Sequence, residues 1–360
     1  MPCFERDWTA EQVLDAIRAL PIEKANLMEV CGTHTVSIAR SGIKRMLPKN
    51  VQLLSGPGCP VCVTPTSDID TILDLALEKD VIIATYGDVL RVPGSRHGDS
   101  LRRRGSEGAR VKMVYSPLDA VSLAEKFPDK QVVFLGVGFE TTAPGTAIAV
   151  KQAQAKGLKN FTVLSLLKTV KPALETLMAQ PDFAVDGFLC PGHVAVITGA
   201  EHFRFLPEKY HRGAVVAGFE PMDILLSVYH LLRQLAEGKP TLGNEYTRAV
   251  APKGNPLAQQ TVERYFTPCD AVWRGMGEIP QSGLQLREAY RQFDAVARFG
   301  LELGKPEKPS ACQCGQVITG KCPPQECPLF GKVCVPENPV GPCMVSGEGA
   351  CAAAYQYQEV

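Results

Sequence analysis

The chain has 360 residues, 45% of them hydrophobic, and its 38 Lys and Arg balance its 38 Asp and Glu. That size suffices for a large core divided among two or three domains, and the absence of net charge leaves no global field to draw nucleic acid or a membrane surface. The opening Met1-Pro-Cys-Phe-Glu-Arg-Asp7 lacks a basic-then-apolar leader pattern, and no apolar run approaches the ~20 residues that span a bilayer, so a cytoplasmic location is expected. Thirteen cysteines in a compartment that keeps thiols reduced argue against a disulfide framework and for metal or redox chemistry.

An amphipathic helix is predicted from Thr9 to Leu20. Short apolar runs then alternate with helical patterns, the mark of βα units and a mostly parallel sheet. Strands are expected at Leu27 to Val30, Val51 to Leu54, Val81 to Thr85, Val111 to Tyr115, Val132 to Val137, Phe161 to Leu166, Gly187 to Leu189 and Ala214 to Ala217. Helices are expected at Ser67 to Glu78, Leu118 to Lys126, Pro144 to Lys156, Pro172 to Ala179 and Pro221 to Leu235. Nearly every strand ends in a polar or glycine-rich tip, and in open α/β sheets ligands bind at the carboxyl ends of strands, so the tips are expected to converge. A weak echo between Val133-Phe-Leu-Gly-Val-Gly-Phe-Glu140 and Val215-Val-Ala-Gly-Phe-Glu220 predicts two related α/β lobes, residues 25–120 and 121–236. Residues 1–24 and 237–360 are assigned to a third, cysteine-rich domain, whose stretch from Lys308 onward needs a staple to hold it.

The central motif is Ser55-Gly-Pro-Gly-Cys-Pro-Val-Cys62. Cys59-x-x-Cys62 can close a small disulfide ring or supply half a zinc site; no second CxxC occurs, so redox work leads. Ser67-x-x-Asp70 resembles a capping box and would put these thiols near a helix N-terminus. In Cys31-Gly-Thr-His34 a thiol and an imidazole are three residues apart at a strand tip, readable as a Cys/His nucleophile pair, as a thiolate metal ligand with His34 as proton donor, or as a buried Cys beside a capping Thr33. Glu140 and Glu220 are acid/base candidates, partner ligands, or carboxylates favoured by a helix dipole. His193, in Cys190-Pro-Gly-His193, is a cleft or a capping group. Gly136-x-Gly138-x-x-Thr141 imitates a dinucleotide fingerprint but lacks its third glycine. Arg102-Arg-Arg104 reads as a solvated loop or as a docking patch for an acidic partner. Seven cysteines, at 312, 314, 322, 327, 334, 343 and 351, point to metal ligation, and their wide spacing without a CxxC knuckle favours a four-cysteine iron–sulfur cluster over zinc. Spacing alone does not select the four.

Together these residues resemble the HypD family of hydrogenase maturation proteins, through Cys31-Gly-Thr-His-Thr35, Gly56-Pro-Gly-Cys-Pro-Val-Cys62, Gly138-Phe-Glu-Thr-Thr142, Pro191-Gly-His193, Gly218-Phe-Glu-Pro221, and Gly341-Pro-Cys-Met-Val-Ser346 with Glu348-Gly-Ala-Cys351. The resemblance implies two similar α/β lobes and a third domain with a [4Fe-4S] cluster. The family's cluster pattern falls on Cys312, Cys327, Cys334 and Cys351. Cys31 matches the iron-ligating cysteine of the transient Fe(CN)2CO unit, and Cys59 with Cys62 match a thiol pair between cleft and cluster. The implied partners are a small HypC-type chaperone and a HypE-type cyanide donor. The expected function is therefore a redox-active assembly scaffold rather than an enzyme with free turnover, the alternatives being a cluster-dependent protein disulfide reductase and a zinc-stabilised binding module.

Overall fold

The protein is described by a computed structural model over residues 8–96, 98–305 and 310–357; residues 1–7, on which the absence of a leader pattern was read, lie outside the described residues. Short strands, most of them runs of buried apolar residues, form two all-parallel sheets, as expected where helices cover both faces. The first contains β1 (Ala25–Glu29), β2 (Val51–Ser55), β7 (Gly187–Pro191), β8 (Gly213–Ala217) and β9 (Leu242–Asn244), in the order β2-β1-β7-β8-β9. The second contains β3 (Val81–Thr85), β4 (Arg110–Met113), β5 (Gln131–Gly138) and β6 (Phe161–Leu167), in the order β4-β3-β5-β6. In β1, Leu27 faces Leu53 on one side and Gly187 on the other; in β5, Val132 faces Ile82 and Phe161.

The α/β class with mostly parallel sheets and flanking helices agrees with the sequence reading. The expected division at residue 120 does not match how the strands sort: β1 and β2 share a sheet with β7 to β9, while β3 to β6 form the other. Each parallel connection needs only a crossover, and nothing local to a βα unit says which sheet its next strand joins.

Residues 1–24 and 237–360 also do not stand apart. Helix Ala10–Ala19, capped by Thr9 with Gln12, buries Val13, Leu14 and Ile17 in the cluster that holds Ile224 and Leu231 of helix Pro221–Glu237. β9 is the edge strand of the first sheet. The antiparallel hairpin β10 (Phe266–Trp273) and β11 (Gly277–Leu286) lies against the second sheet, with Thr169 N–H donating to Ser282 O at 2.9 Å and the Ser165 hydroxyl to Leu284 O at 2.5 Å. The cysteine-rich stretch, expected to need a staple, has apolar packing of its own: Val317, Ile318, Met344 and Val345 are buried in the same apolar cluster as Ile69, Leu73, Ile83 and Leu135. Burial of that kind lets it share the main core. Among the described residues, no helix is long and apolar enough to cross a membrane.

Candidate thiol and metal site

Cys31 follows β1 and occupies the N-cap of helix Gly32–Ser41, where it makes no capping bond of its own. The buried carboxyl of Glu29 holds the turn instead: Cys31 N–H donates to Oε2 at 3.1 Å and the Thr35 hydroxyl to Oε1 at 2.5 Å. Burial pushes the Glu29 carboxyl up to about 8 and, with the nearby Glu348, pushes the Cys31 thiol up to about 12. A thiol so placed keeps its proton until a cation displaces it.

Two other segments close on this turn. Gly32 N–H donates to Gly58 O at 3.0 Å, and a Cβ on Gly58 would overlap the Cys31 backbone. A Cβ on Gly32 would overlap Glu348, whose Oε1 accepts from the Thr33 hydroxyl at 2.7 Å. Glycine at both positions permits approaches that no side chain would allow.

Cys59 and Cys62 are joined as a disulfide with Cα atoms 5.2 Å apart, and both are buried. Cys62 N–H lies 3.1 Å from Cys59 Sγ, and Cys59 Sγ lies 3.4 Å from the Ser346 hydroxyl of the cysteine-rich stretch. The pair occupies a turn after β2, and the next helix begins only at Thr66, so its N-terminus does not cap the sulfurs. The expected capping box is absent as well: Pro65 is the N-cap, the Ser67 hydroxyl donates to Lys305 O at 2.9 Å, and Asp70 Oδ1 accepts Ser95 N–H at 2.7 Å. Ser67 and Asp70 serve tertiary contacts instead.

His34 is fully buried, its Nε2 2.9 Å from Gly218 O and 3.2 Å from Ala217 O. Two carbonyl acceptors assign the proton to Nε2, and burial pulls its pKa down to about 4, so the ring is neutral and Nδ1 is a bare acceptor. Phe219 lies between the two rings, tilted against His34 and stacked on His193, with centroids 4.8 and 3.9 Å away. Burial also lowers the pKa of His193. The first-sheet tips Cys31–His34, Pro191–His193 and Gly218–Phe219 therefore meet.

Glu140 and Glu220 have different surroundings despite their shared motif. Glu140, at the tip of β5, is buried and accepts Val170 N–H at 2.9 Å; burial raises its pKa to about 7. Glu220 is largely exposed and caps helix Pro221–Glu237 in a capping box with Asp223, which is the dipole reading of that residue. Gly138 makes room for Thr142 of its own chain. Arg102 to Arg104 lie within helix Leu101–Ser106 rather than in a loop, and Arg104 pairs with Asp99 at 2.6 Å.

Cys312, Cys314, Cys327, Cys334, Cys343 and Cys351 line one small cavity with Phe330 and Met344. All four cysteines of the expected cluster pattern face it. Cys334 Sγ accepts Val340 N–H at 3.3 Å, a bond suited to a thiolate ligand. Cys314 and Cys343 Sγ are 2.9 Å apart within the same cavity, whereas Cys322 lies outside it, 3.7 Å from Gln313 Oε1. Among the described residues, no three His, Cys, Asp or Glu side chains are disposed around a single metal-ion position.

Glu29 was not expected at the site, and Asp88, Ser346 and Glu348, although within a strand tip or quoted motifs, were assigned no role there. A carboxylate ending the apolar run Leu27-Met-Glu29 is the one local signal among them; the others acquire a role only through tertiary approach.

The family described as "Hydrogenase formation hypA family", HypD, matches residues 8–358. The hydrogenase maturation factor HypD of Escherichia coli K12 is 45% identical over 339 residues, covering 92% of this chain and 89% of that protein. That of Azotobacter vinelandii is 45% identical, covering 98% and 95%, and that of Cupriavidus necator 42% identical, covering 97% and 94%. With a family match over nearly its whole length and relatives this similar end to end, the chain belongs to the HypD family and has a role in hydrogenase maturation.

Proposed function

We propose that this chain is the scaffold on which the Fe(CN)2CO unit of [NiFe]-hydrogenase is assembled. The observation that carries the reading is convergence: Cys31, the Cys59–Cys62 pair and residues 346–348 of the cysteine-rich stretch lie within hydrogen-bonded reach of one another. Cys31 presents the thiolate that takes the iron cargo, a soft donor suited to low-valent iron. Glu29 and Gly58 fix its backbone, and His34 offers Nδ1 beside the aromatic stack. A small HypC-type chaperone shares the iron, and a HypE-type protein delivers cyanide.

The six-sulfur cavity fits a [4Fe-4S] cluster in donor chemistry, with Cys312, Cys327, Cys334 and Cys351 as the holding residues. A bound cluster supplies electrons one at a time. The chain's own part is to keep Cys59 against the stretch that ends in Cys351 and to shelter the dithiol from solvent.

Protein co-purified with its small partner is expected to show infrared bands in the nitrile and carbonyl stretch region. Cys31→Ala should keep its fold and brown colour while losing those bands and hydrogenase maturation. Full maturation by that variant would remove the ligand role, and a wild-type complex without bands would favour the disulfide reductase.

A further inference from the structure

Burial of both sulfurs restricts direct proton exchange between the dithiol and water. Cys59 is 5% exposed and Cys62 0%, yet reduction of their disulfide consumes two protons with two electrons. A hydroxyl stands beside the pair: Ser346 Oγ, itself 1% exposed, lies 3.4 Å from Cys59 Sγ and 3.4 Å from Asp88 Oδ2. Asp88 follows β3 at the tip of the second sheet and is exposed.

The hydrogen-bond inventory of Ser346 suits a relay. A hydroxyl has one proton and two lone pairs. Glu348 N–H, at 3.2 Å, occupies one lone pair and fixes the oxygen in place. With the pair reduced, the other lone pair can accept the Cys59 S–H while the O–H points to Asp88; with the disulfide closed, sulfur has no proton to give and the O–H can turn toward it. Arg91, whose Nη2 donates to Val345 O at 3.3 Å, anchors the same turn from the element that bears Asp88.

We propose that Ser346 and Asp88 form the proton path of the Cys59–Cys62 pair. The inference rests on the reading of that pair as a working redox couple. On reduction, the S–S bond breaks as two electrons arrive from a one-electron donor, Cys59 takes a proton from Ser346, and Ser346 is reprotonated from water through Asp88. The second proton follows the same way and is handed from Cys59 to Cys62. Oxidation runs the path outward.

The test uses the full chain as isolated. Two equivalents of titanium(III) citrate supply the electrons, becoming titanium(IV), and rapid alkylation counts the thiols formed. Ser346→Ala and Asp88→Asn should each slow thiol appearance about tenfold or more, the scale of a lost proton-transfer group. Ser346→Thr, which keeps the hydroxyl, should retain the wild-type rate. Added imidazole, a small proton carrier, should restore the rate of Asp88→Asn, which a purely structural role would not permit. Wild-type rates in both variants, a slow Ser346→Thr, or failure of imidazole to rescue Asp88→Asn overturns the path while leaving the redox pair intact. A wild-type disulfide that yields no thiols overturns the redox reading and the path with it.

Discussion

The Thr33 hydroxyl donates a 2.7 Å hydrogen bond to Glu348 Oε1 across 315 residues of sequence, tying the turn that bears Cys31 to the stretch that ends in Cys351. Thr33→Val keeps the side-chain shape and leaves a largely buried carboxyl without its donor. The expected cost is about 1–3 kcal/mol, read as a lower urea midpoint, with faster alkylation of Cys31 as the local sign. An unchanged midpoint and an equally protected Cys31 would show that the tie contributes nothing.

Gly58 lies against the backbone of Cys31. Gly58→Ala has no free space to enter, so the loop must shift, at a cost of about 1–3 kcal/mol by analogy with overpacked cores. Melting temperature should fall and maturation activity should fall with it. A variant as stable and active as wild type would mean the close approach is not required.

For the cysteine cavity, Cys327→Ala and Cys334→Ala are expected to lose iron and the associated visible absorbance and to melt earlier, because the ligands also fasten the stretch they sit on. Cys322→Ala, outside the cavity, should retain both. Iron analysis decides; loss from the Cys322 variant and retention by the Cys334 variant would invert the assignment.

Glu140 gives a pH dependence of definite sign. Its carboxyl ionises at about 7 in the folded chain against 4.5 as the ordinary value. Its contribution to stability is therefore complete below pH 4.5 and is lost as pH rises to about 7, in total about 3 kcal/mol at 1.4 kcal/mol per unit. Glu140→Gln cannot ionise, so relative to wild type it should gain stability between pH 5 and pH 8 in urea unfolding. Parallel stability curves for the two proteins would refute the assignment.

Strands β1 to β8 were legible because each is a short apolar run closed by a turn signal; Val81–Thr85, buried throughout, is the clearest. The hairpin was not, since Pro268 and Asp270 interrupt β10 and Gly277, Pro280 and Gly283 interrupt β11, residues that read as loop. Sheet membership was hidden because β2 and β3 look alike locally and differ only in the path between them. At the site, Cys31, Cys59 and Cys62 announce themselves by spacing. Glu29, Asp88 and Ser346 are ordinary single polar residues until folding brings Glu29 to the Cys31 backbone, Ser346 to Cys59 and Asp88 to Ser346.

The placement of β1 between β2 and β7 governs the order in which the molecule can be completed as it is synthesised. A nascent chain that has released residues up to β6 can close the second sheet, yet β1 still has an open edge awaiting β7. Non-local pairings of this kind form late. The turn that bears Cys31 waits longer still, because Glu348, to which Thr33 donates, follows every strand of both sheets in sequence. The turn that bears Cys31 is therefore completed late: a half-made chain can close the second sheet and still lack the Thr33–Glu348 tie.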